Sequence, residues 1–190
     1  MFLFLFLLGI TLNSVFAIGE IKNIPGKIAI MDTDYNISTY TPTNNTLTQL
    51  TDDASSTRHY QWTTWSSDGR LAYFCCETSA DGQIYISSDG ESFPELAYEN
   101  PSTFTLYAYW SPANCGENCR ELAILTNDAQ GLSLNILTDS EQRELRTVGT
   151  GGPYYYHWNA TGTEMVFHRA NQTLDIYNRA ENDITQSLPN

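Results

Sequence analysis

A short apolar segment recurs four times along the 190-residue chain, and this repeat constrains the fold more than any other feature. Each copy is a charged residue followed by three apolar or aromatic residues. The copies occupy residues 27–30, 70–73, 121–124 and 164–167, and their third positions lie 43, 51 and 43 residues apart. A period of about 45 residues is typical of a repeat architecture built from one small supersecondary unit.

Further landmarks keep a regular distance from the repeated segment. Three tryptophans precede the third position of the later copies by 7, 13 and 8 residues, namely Trp65, Trp110 and Trp158. Four residues follow that position by 11 or 13 places, namely Tyr40, Tyr85, Ile136 and Tyr177. Gly, Asp, Asn and Pro separate these landmarks, so each unit is predicted to hold four short strands joined by turns.

The repeated segments do not alternate between apolar and polar residues. Residues 71–76, for example, are continuously apolar. A strand of a β-sandwich has one solvent-exposed face, so apolar and polar residues should alternate along it. A strand that is covered on both faces need not show this alternation. We therefore predict an all-β fold, a β-propeller of four-stranded antiparallel blades, over the alternative of an ordinary β-sandwich.

The second unit resembles a known repeat. Residues 65–73 read Trp-Ser-Ser-Asp-Gly-Arg-Leu-Ala-Tyr and are followed by Ile84-Tyr85, which is similar to the WD40-like (PD40) repeat of TolB-like β-propellers. The third unit keeps the tryptophan, and the fourth keeps the tryptophan and the glycine. The residues that carry the resemblance, with an expected structural role, are Trp65, Asp68, Gly69, Trp110, Trp158 and Gly162.

The resemblance also implies the domain organisation. It covers residues 26–190, and the four blades are expected at about residues 18–53, 58–99, 104–149 and 153–190. TolB-like propellers are usually six-bladed rings. In this chain the first unit lacks the strand that ends on a tryptophan in the other three units. We therefore expect an incomplete propeller, truncated from a six-bladed ring, with a four-bladed ring as the alternative. An open arc of blades would expose apolar faces at its two ends.

The chain begins with an apolar segment that is typical of an export signal. Residues 2–12 are almost wholly apolar, and the small residues Val15 and Ala17 predict cleavage after Ala17. The signal peptide, residues 1–17, is shorter than the roughly 20 residues that span a membrane. No Lys or Arg precedes it, so a weak anchor is the alternative. We predict a secreted or periplasmic protein with no stable membrane span.

Export makes disulfide bonds possible for the four cysteines. Cys115 and Cys119 lie in a Pro-, Asn- and Gly-rich stretch whose ends could approach, which predicts a disulfide between them. A zinc site is the weaker interpretation, because no histidine or second cysteine pair lies nearby. Cys75 and Cys76 are neighbours on an apolar strand and would point to opposite faces, so we predict two buried and unlinked side chains.

Charge and motif content limit the function classes. Nine Lys and Arg residues against 22 Asp and Glu residues give a formal net charge of −13, which argues against nucleic-acid binding and favours basic partners. The sequence has no Gly-x-Ser-x-Gly motif, and His59, His157 and His168 lack the spacing of a catalytic or metal site. We predict no catalytic residue, no metal ligand and no cofactor.

An aromatic run at residues 154–158 has two interpretations. Exposed aromatic rings stack on sugars, which suggests carbohydrate binding. The run also aligns with the first strand of a blade, where rings pack between sheets. A similar run in the third unit, with Tyr107, Tyr109 and Trp110, favours the core, and alternate rings could face the central channel.

These features predict an exported, non-enzymatic propeller that acts as a scaffold. Loops are free to vary while stacked strands are committed to packing, so a protein or small ligand is expected to bind through loops at one rim. The alternative is the N-terminal propeller portion of a larger enzyme, either a prolyl-oligopeptidase-like peptidase or a propeller lyase.

Overall fold

The computed structural model describes residues 25–76, 82–112, 121–139, 143–152, 155–170 and 173–189. The predicted signal peptide and the predicted Cys115–Cys119 disulfide lie outside these ranges. Within them the chain forms fifteen β-strands. They are β1 Ile28–Met31, β2 Ile37–Thr41, β3 Thr46–Gln49, β4 Tyr60–Trp65, β5 Leu71–Cys75, β6 Gly82–Ser87, β7 Glu95–Asn100, β8 Phe104–Trp110, β9 Glu121–Asp128, β10 Gly131–Thr138, β11 Leu145–Thr150, β12 Tyr156–Trp158, β13 Glu164–Arg169, β14 Thr173–Asn178 and β15 Asp183–Pro189.

Consecutive strands pair antiparallel and form four sheets. Sheet 1 holds β1–β3, sheet 2 holds β4–β7, sheet 3 holds β8–β11 and sheet 4 holds β12–β15, each in chain order. The predicted all-β fold of antiparallel blades is confirmed. Sheet 1 has three strands in the described part of the chain, while the other sheets have four. No helix long and apolar enough to cross a membrane occurs among the described residues.

The repeated segment occupies the same place in sheets 2 to 4 and the first described strand of sheet 1. It contributes to β5, β9 and β13, the second strands of sheets 2 to 4, and to β1 in sheet 1. The strand that follows it along the chain pairs with it each time, as β2 pairs with β1. The first strands of sheets 2 to 4 are therefore β4, β8 and β12, and each ends on one of the repeat tryptophans.

Burial on both faces explains why the repeated segments in β5 and β9 are continuously apolar. Every residue of β5 is buried. Leu71 and Tyr73 pack towards sheet 1, while Ala72 and Phe74 pack towards sheet 3. Successive side chains of a strand point to opposite faces, so a strand between two stacked sheets needs apolar residues at every position.

Three interface cores hold the four sheets together. The first lies between sheets 1 and 2 and contains Ile37, Leu50, Tyr60, Leu71, Tyr73, Cys75 and Cys76. The second lies between sheets 2 and 3 and contains Ala72, Phe74, Ile84, Ile86, Ala108, Trp110, Leu122, Ile124 and Leu137. The third lies between sheets 3 and 4 and contains Ala123, Leu125, Leu134, Ile136, Tyr156, Trp158, Met165, Phe167 and Tyr177.

The outer sheets differ from the middle ones in burial. Sheets 2 and 3 contribute to two interface cores each, whereas sheets 1 and 4 contribute to one. On sheet 1, Ile28 and Ile30 are each 38% exposed, and on sheet 4, Val166 is 40% exposed. The outer sheets therefore leave apolar side chains partly open to water.

A charged group lies near each interface core and is paired there: Arg58 is partly buried, and Arg70 and Glu121 are buried. Arg58 pairs with Asp53 and hydrogen-bonds to the hydroxyl of Tyr85 beside the first core. Arg70 pairs with Asp68 and Asp139 beside the second. Beside the third, Glu121 accepts a hydrogen bond from the guanidinium group of Arg146 and forms an ion pair with that of Arg179. A buried charge needs such partners. The Arg70–Asp139 pair links sheets 2 and 3, and the Glu121–Arg179 pair links sheets 3 and 4.

The predicted state of Cys75 and Cys76 is wrong in one respect. Both side chains are buried as expected, but they form a disulfide bond with each other. The prediction assumed that both residues are extended. Cys76 instead follows the end of β5 with a φ of 73°, which brings its side chain to the same side as that of Cys75. Its Sγ also lies 3.6 Å from the Nη1 atom of Arg58, at the first interface core.

Candidate functional site

An open cleft lies along the first strands of sheets 2 to 4, where aromatic residues are concentrated. Its volume is about 810 Å³, within the range of small-molecule sites. We call it the aromatic cleft. It is lined by Trp62, Tyr107, Tyr109, Trp110, Pro112, Tyr155, Tyr156, His157, Trp158, Asn159 and Ala160.

Strand alternation divides the aromatic residues into a buried set and an exposed set. Tyr156 and Trp158 of β12 are only 7% and 5% exposed, while Tyr155 just before the strand is 74% exposed. On β8, Trp110 is 7% exposed and the adjacent Tyr109 is 47% exposed. The core interpretation of the aromatic runs thus holds for every second ring, and the alternate rings face the cleft. Tyr154 lies outside the described residues.

Trp62 completes the exposed set and was not singled out in the sequence analysis. A bulge in β4 falls between Gln61 and Thr64, and Trp62 sits in it with a φ of 52°. Its side chain is 39% exposed, and its Nε1 donates to the carbonyl oxygen of Ala108 at 2.9 Å. This hydrogen bond fixes the indole of sheet 2 against the first strand of sheet 3.

A regular offset in the repeat could have identified Trp62. In each of units two to four, an aromatic residue stands three places before the repeat tryptophan. The pairs are Trp62 and Trp65, Tyr107 and Trp110, and Tyr155 and Trp158. The repeat therefore supplies one cleft ring per sheet from an equivalent sequence position.

The rings touch one another and form a continuous wall. Trp62 lies 5.7 Å from Tyr107 and 5.9 Å from Tyr109 between ring centroids. Tyr107 stacks on Tyr156 at 5.2 Å with an interplanar angle of 13°. Offset-stacked and edge-to-face pairs at these distances attract one another beyond the burial of their area. The wall therefore crosses three sheets.

The described residues that line the aromatic cleft include no carboxylate, lysine or arginine side chain. Burial, together with the neighbouring Tyr109 and Tyr155, raises the pKa of Tyr107 to about 12. Burial also raises the pKa of Tyr156 well above 10, and the Tyr156 hydroxyl donates to the carbonyl oxygen of Ala123 at 2.6 Å. Both phenols are neutral at physiological pH.

Alkaline titration should separate the buried tyrosines from the exposed ones. Burial raises the pKa of Tyr60, Tyr73, Tyr107, Tyr156 and Tyr177. A phenol with a raised pKa in the folded state stabilises the fold up to the unfolded pKa of about 10, and this contribution is lost as the pH rises further.

We therefore expect phenolate absorbance to rise in two steps, the second coinciding with loss of the β-sheet circular dichroism signal. The free energy of unfolding of the chain should fall as the pH rises above about 10. A single step near pH 10, with the fold intact, would contradict the buried placement of these rings.

The residues predicted to be structural lie at the ends of first strands and in the turns that follow. Trp65, Trp110 and Trp158 end β4, β8 and β12, and the last two line the aromatic cleft. Gly69, with a φ of 90°, and Gly162, with a φ of 65°, lie in the turns to the second strands. In the first of these turns the Ser66 hydroxyl donates to Asp68 at 2.5 Å.

The three histidines are spread over the molecule. His59 stacks on Tyr35 with ring centroids 4.1 Å apart, His157 lines the aromatic cleft, and His168 lies on β13. In the described ranges, no three His, Cys, Asp or Glu side chains are grouped so that they could hold a metal ion. The chemistry that the aromatic cleft offers is therefore ring stacking and neutral hydrogen bonding.

Sequence comparisons give no family for this chain, whereas structural comparisons give a fold. No family model matches the sequence, and no curated protein matches it. Solved structures match over most of the chain. Porphyromonas gingivalis dipeptidyl peptidase 4 matches with a TM-score of 0.67 and 11% identity over 86% of this chain and 31% of that one.

Two further matches come from different proteins. The β-propeller domain of Myceliophteria thermophila Cps50 (Swd1) has a TM-score of 0.57 and 12% identity, over 87% of this chain and 52% of that domain. Citrobacter koseri AztD has a TM-score of 0.53 and 12% identity, over 86% and 43%. The chain thus spans from about a third to about half of the length of these three matches, and it has the fold of a β-propeller.

Proposed function

We propose that this chain is an exported, non-enzymatic binding module of the TolB-like propeller type, and that its ligand binds in the aromatic cleft. The observation that carries the proposal is a row of exposed rings on or next to the first strands of sheets 2 to 4, two of which, Trp62 and Tyr155, stand at equivalent repeat positions. Tyr155 is 74% exposed, Tyr109 47% and Trp62 39%. Soluble proteins rarely leave contiguous aromatic surface open unless it binds something.

The proposed site differs from the site expected from sequence. Loops at one rim were expected to bind the partner, because strands of a propeller are committed to packing. Of the described residues that line the cleft, most come from the first strands of sheets 2 to 4, and Pro112, Tyr155, Asn159 and Ala160 come from outside strands. A site built on strands holds its geometry better than a site built on loops.

A screen of small fragments by ligand-observed NMR tests this proposal. The fragments should include neutral, cationic and anionic molecules, so that the screen does not presuppose the ligand. We expect hits that bind the full chain and lose binding in Tyr155→Ala, because this ring is the most exposed one in the aromatic cleft. Truncating a ring that anchors a ligand typically costs more than about 1 kcal/mol.

Phe93→Ala is the matched control for this screen. Phe93 is 89% exposed and lies outside the aromatic cleft, so its loss should leave every hit unchanged. The proposal fails if no fragment distinguishes Tyr155→Ala from the parent chain. It fails equally if the two variants lose the same hits.

A second candidate function is the propeller portion of a larger enzyme. The likeness to dipeptidyl peptidase 4, which has the highest TM-score of the three matches described, favours this candidate. The coding sequence downstream of Asn190 tests it. A Gly-x-Ser-x-Gly segment in the same reading frame would support a peptidase, and further blades would support the binding module.

A further inference from the structure

Resting on the proposed function, we infer that the aromatic cleft binds a neutral oligosaccharide. The rings of Trp62, Tyr109 and Tyr155 provide apolar faces onto which the C–H face of a sugar ring packs. Aromatic faces carry partial negative charge and attract the weakly positive C–H groups that such a ring presents. The choice of this ligand class rests on three properties of the site.

The first property is charge. Among the described residues that line the aromatic cleft there is no Asp, Glu, Lys or Arg, although the chain as a whole carries a formal net charge of −13. An acidic polysaccharide would meet repulsion from the chain and find no basic side chain among these residues. A basic peptide would find no carboxylate among them. The cleft itself therefore suits a ligand without charge.

The second property is the spacing of the rings. A cationic headgroup such as trimethylammonium sits between rings, with each centroid within about 6 Å of the cation. The rings of Trp62, Tyr107 and Tyr109 touch one another, with centroids 5.7 to 5.9 Å apart. That spacing leaves no room for a cation between them. The ring planes are inclined to one another by 46° to 77°, so the rings present separate faces along one wall, and each face suits the apolar face of one sugar ring.

The third property is the hydrogen-bonding groups. A proline-rich peptide offers carbonyl acceptors to indole N–H donors in aromatic grooves. Here the Nε1 atoms of Trp62 and Trp110 already donate to the carbonyl oxygens of Ala108 and Thr64, at 2.9 and 3.2 Å. The Nε1 atom of Trp158 is buried.

The other polar groups of the aromatic cleft suit hydroxyl groups better than carbonyls. The phenols of Tyr109 and Tyr155 line the cleft, and a phenol both donates and accepts a hydrogen bond. The imidazole of His157 also has a donor and an acceptor when neutral. Sugar hydroxyls need both kinds of partner, whereas a peptide carbonyl only accepts.

Isothermal titration calorimetry of the full chain tests this inference. The probes are neutral oligosaccharides of glucose, xylose, mannose and N-acetylglucosamine, an oligogalacturonate, a proline-rich peptide and a trimethylammonium compound. We expect at least one neutral oligosaccharide to bind, and Tyr155→Ala and Tyr109→Ala to weaken it by about tenfold each. Phe93→Ala should bind like the parent chain.

The other outcomes separate this inference from the proposed function. If the proline-rich peptide or the cation binds, is lost in Tyr155→Ala, and no neutral oligosaccharide binds, the sugar inference is wrong while the cleft remains a binding site. If a neutral oligosaccharide binds Tyr155→Ala and the parent equally, the cleft is not its site. If none of the neutral oligosaccharides binds, the inference is overturned.

Discussion

Replacing Phe74 with alanine should lower the free energy of unfolding by about 3–5 kcal/mol. Phe74 is fully buried in the second interface core, on the strand whose every residue is buried. Its removal takes the apolar area of a phenyl ring out of the core and leaves a cavity between sheets 2 and 3. Sheets packed on both sides of β5 have little freedom to collapse into that cavity.

Phe93→Ala is again the matched control, because it deletes the same ring from a position that is 89% exposed. Its unfolding free energy should stay within about 0.5 kcal/mol of the parent. Urea denaturation followed by tryptophan fluorescence measures both variants through the midpoint and the slope of the transition. Equal losses in the two variants would contradict the placement of Phe74 between two sheets.

Replacing Arg70 with methionine should cost about 3 kcal/mol of stability. The Arg70 side chain is 5% exposed and pairs with Asp139, whose side chain is 11% exposed, and with Asp68. Its guanidinium carbon also lies 4.4 Å from the centroid of the Trp110 ring. Methionine keeps the apolar stem and removes the charge, so it leaves the two carboxylates without their buried partner.

Two further variants separate charge from geometry in this network. Arg143 pairs with the same Asp139 and with Glu95, whose side chain is 75% exposed. Arg143→Met should therefore cost less than about 1 kcal/mol, as expected for a surface ion pair. Arg70→Lys keeps the charge but cannot pair with two carboxylates and stack on Trp110 at once, so an intermediate loss is expected. A larger loss in Arg143→Met than in Arg70→Met would contradict the burial argument.

The repeat made the fold predictable from sequence to an unusual degree. The four apolar segments predicted strands covered on both faces, and β5 and β9 are such strands between sheets. The turn residues predicted four short strands in each unit, and sheets 2 to 4 have four. The periodic pattern is informative because each unit forms the same kind of antiparallel sheet and packs against a neighbouring sheet.

The departures from prediction arise where the backbone leaves the regular strand. Cys76 has a φ of 73° and bonds to its neighbour, and Trp62 has a φ of 52° in a bulge. Both predictions assumed extended backbone, in which side chains alternate. Alternation did predict that only some rings of the aromatic runs are buried between sheets. Which rings are exposed depends on register, and bulges in β4 and β8 shift that register. That the exposed rings face a central channel stays a prediction.

Because the aromatic cleft crosses three sheets, its affinity for a ligand depends on the packing between those sheets. Rings from β4 and β8 and from the start of sheet 4 meet only while the second and third interface cores hold those sheets in register. A ligand that contacts rings of all three sheets would oppose separation of the sheets, because a ligand that binds only the folded state stabilises that state. Conversely, a substitution that weakens the packing of the second or third interface core would weaken ligand binding, even where the substituted residue does not contact the ligand.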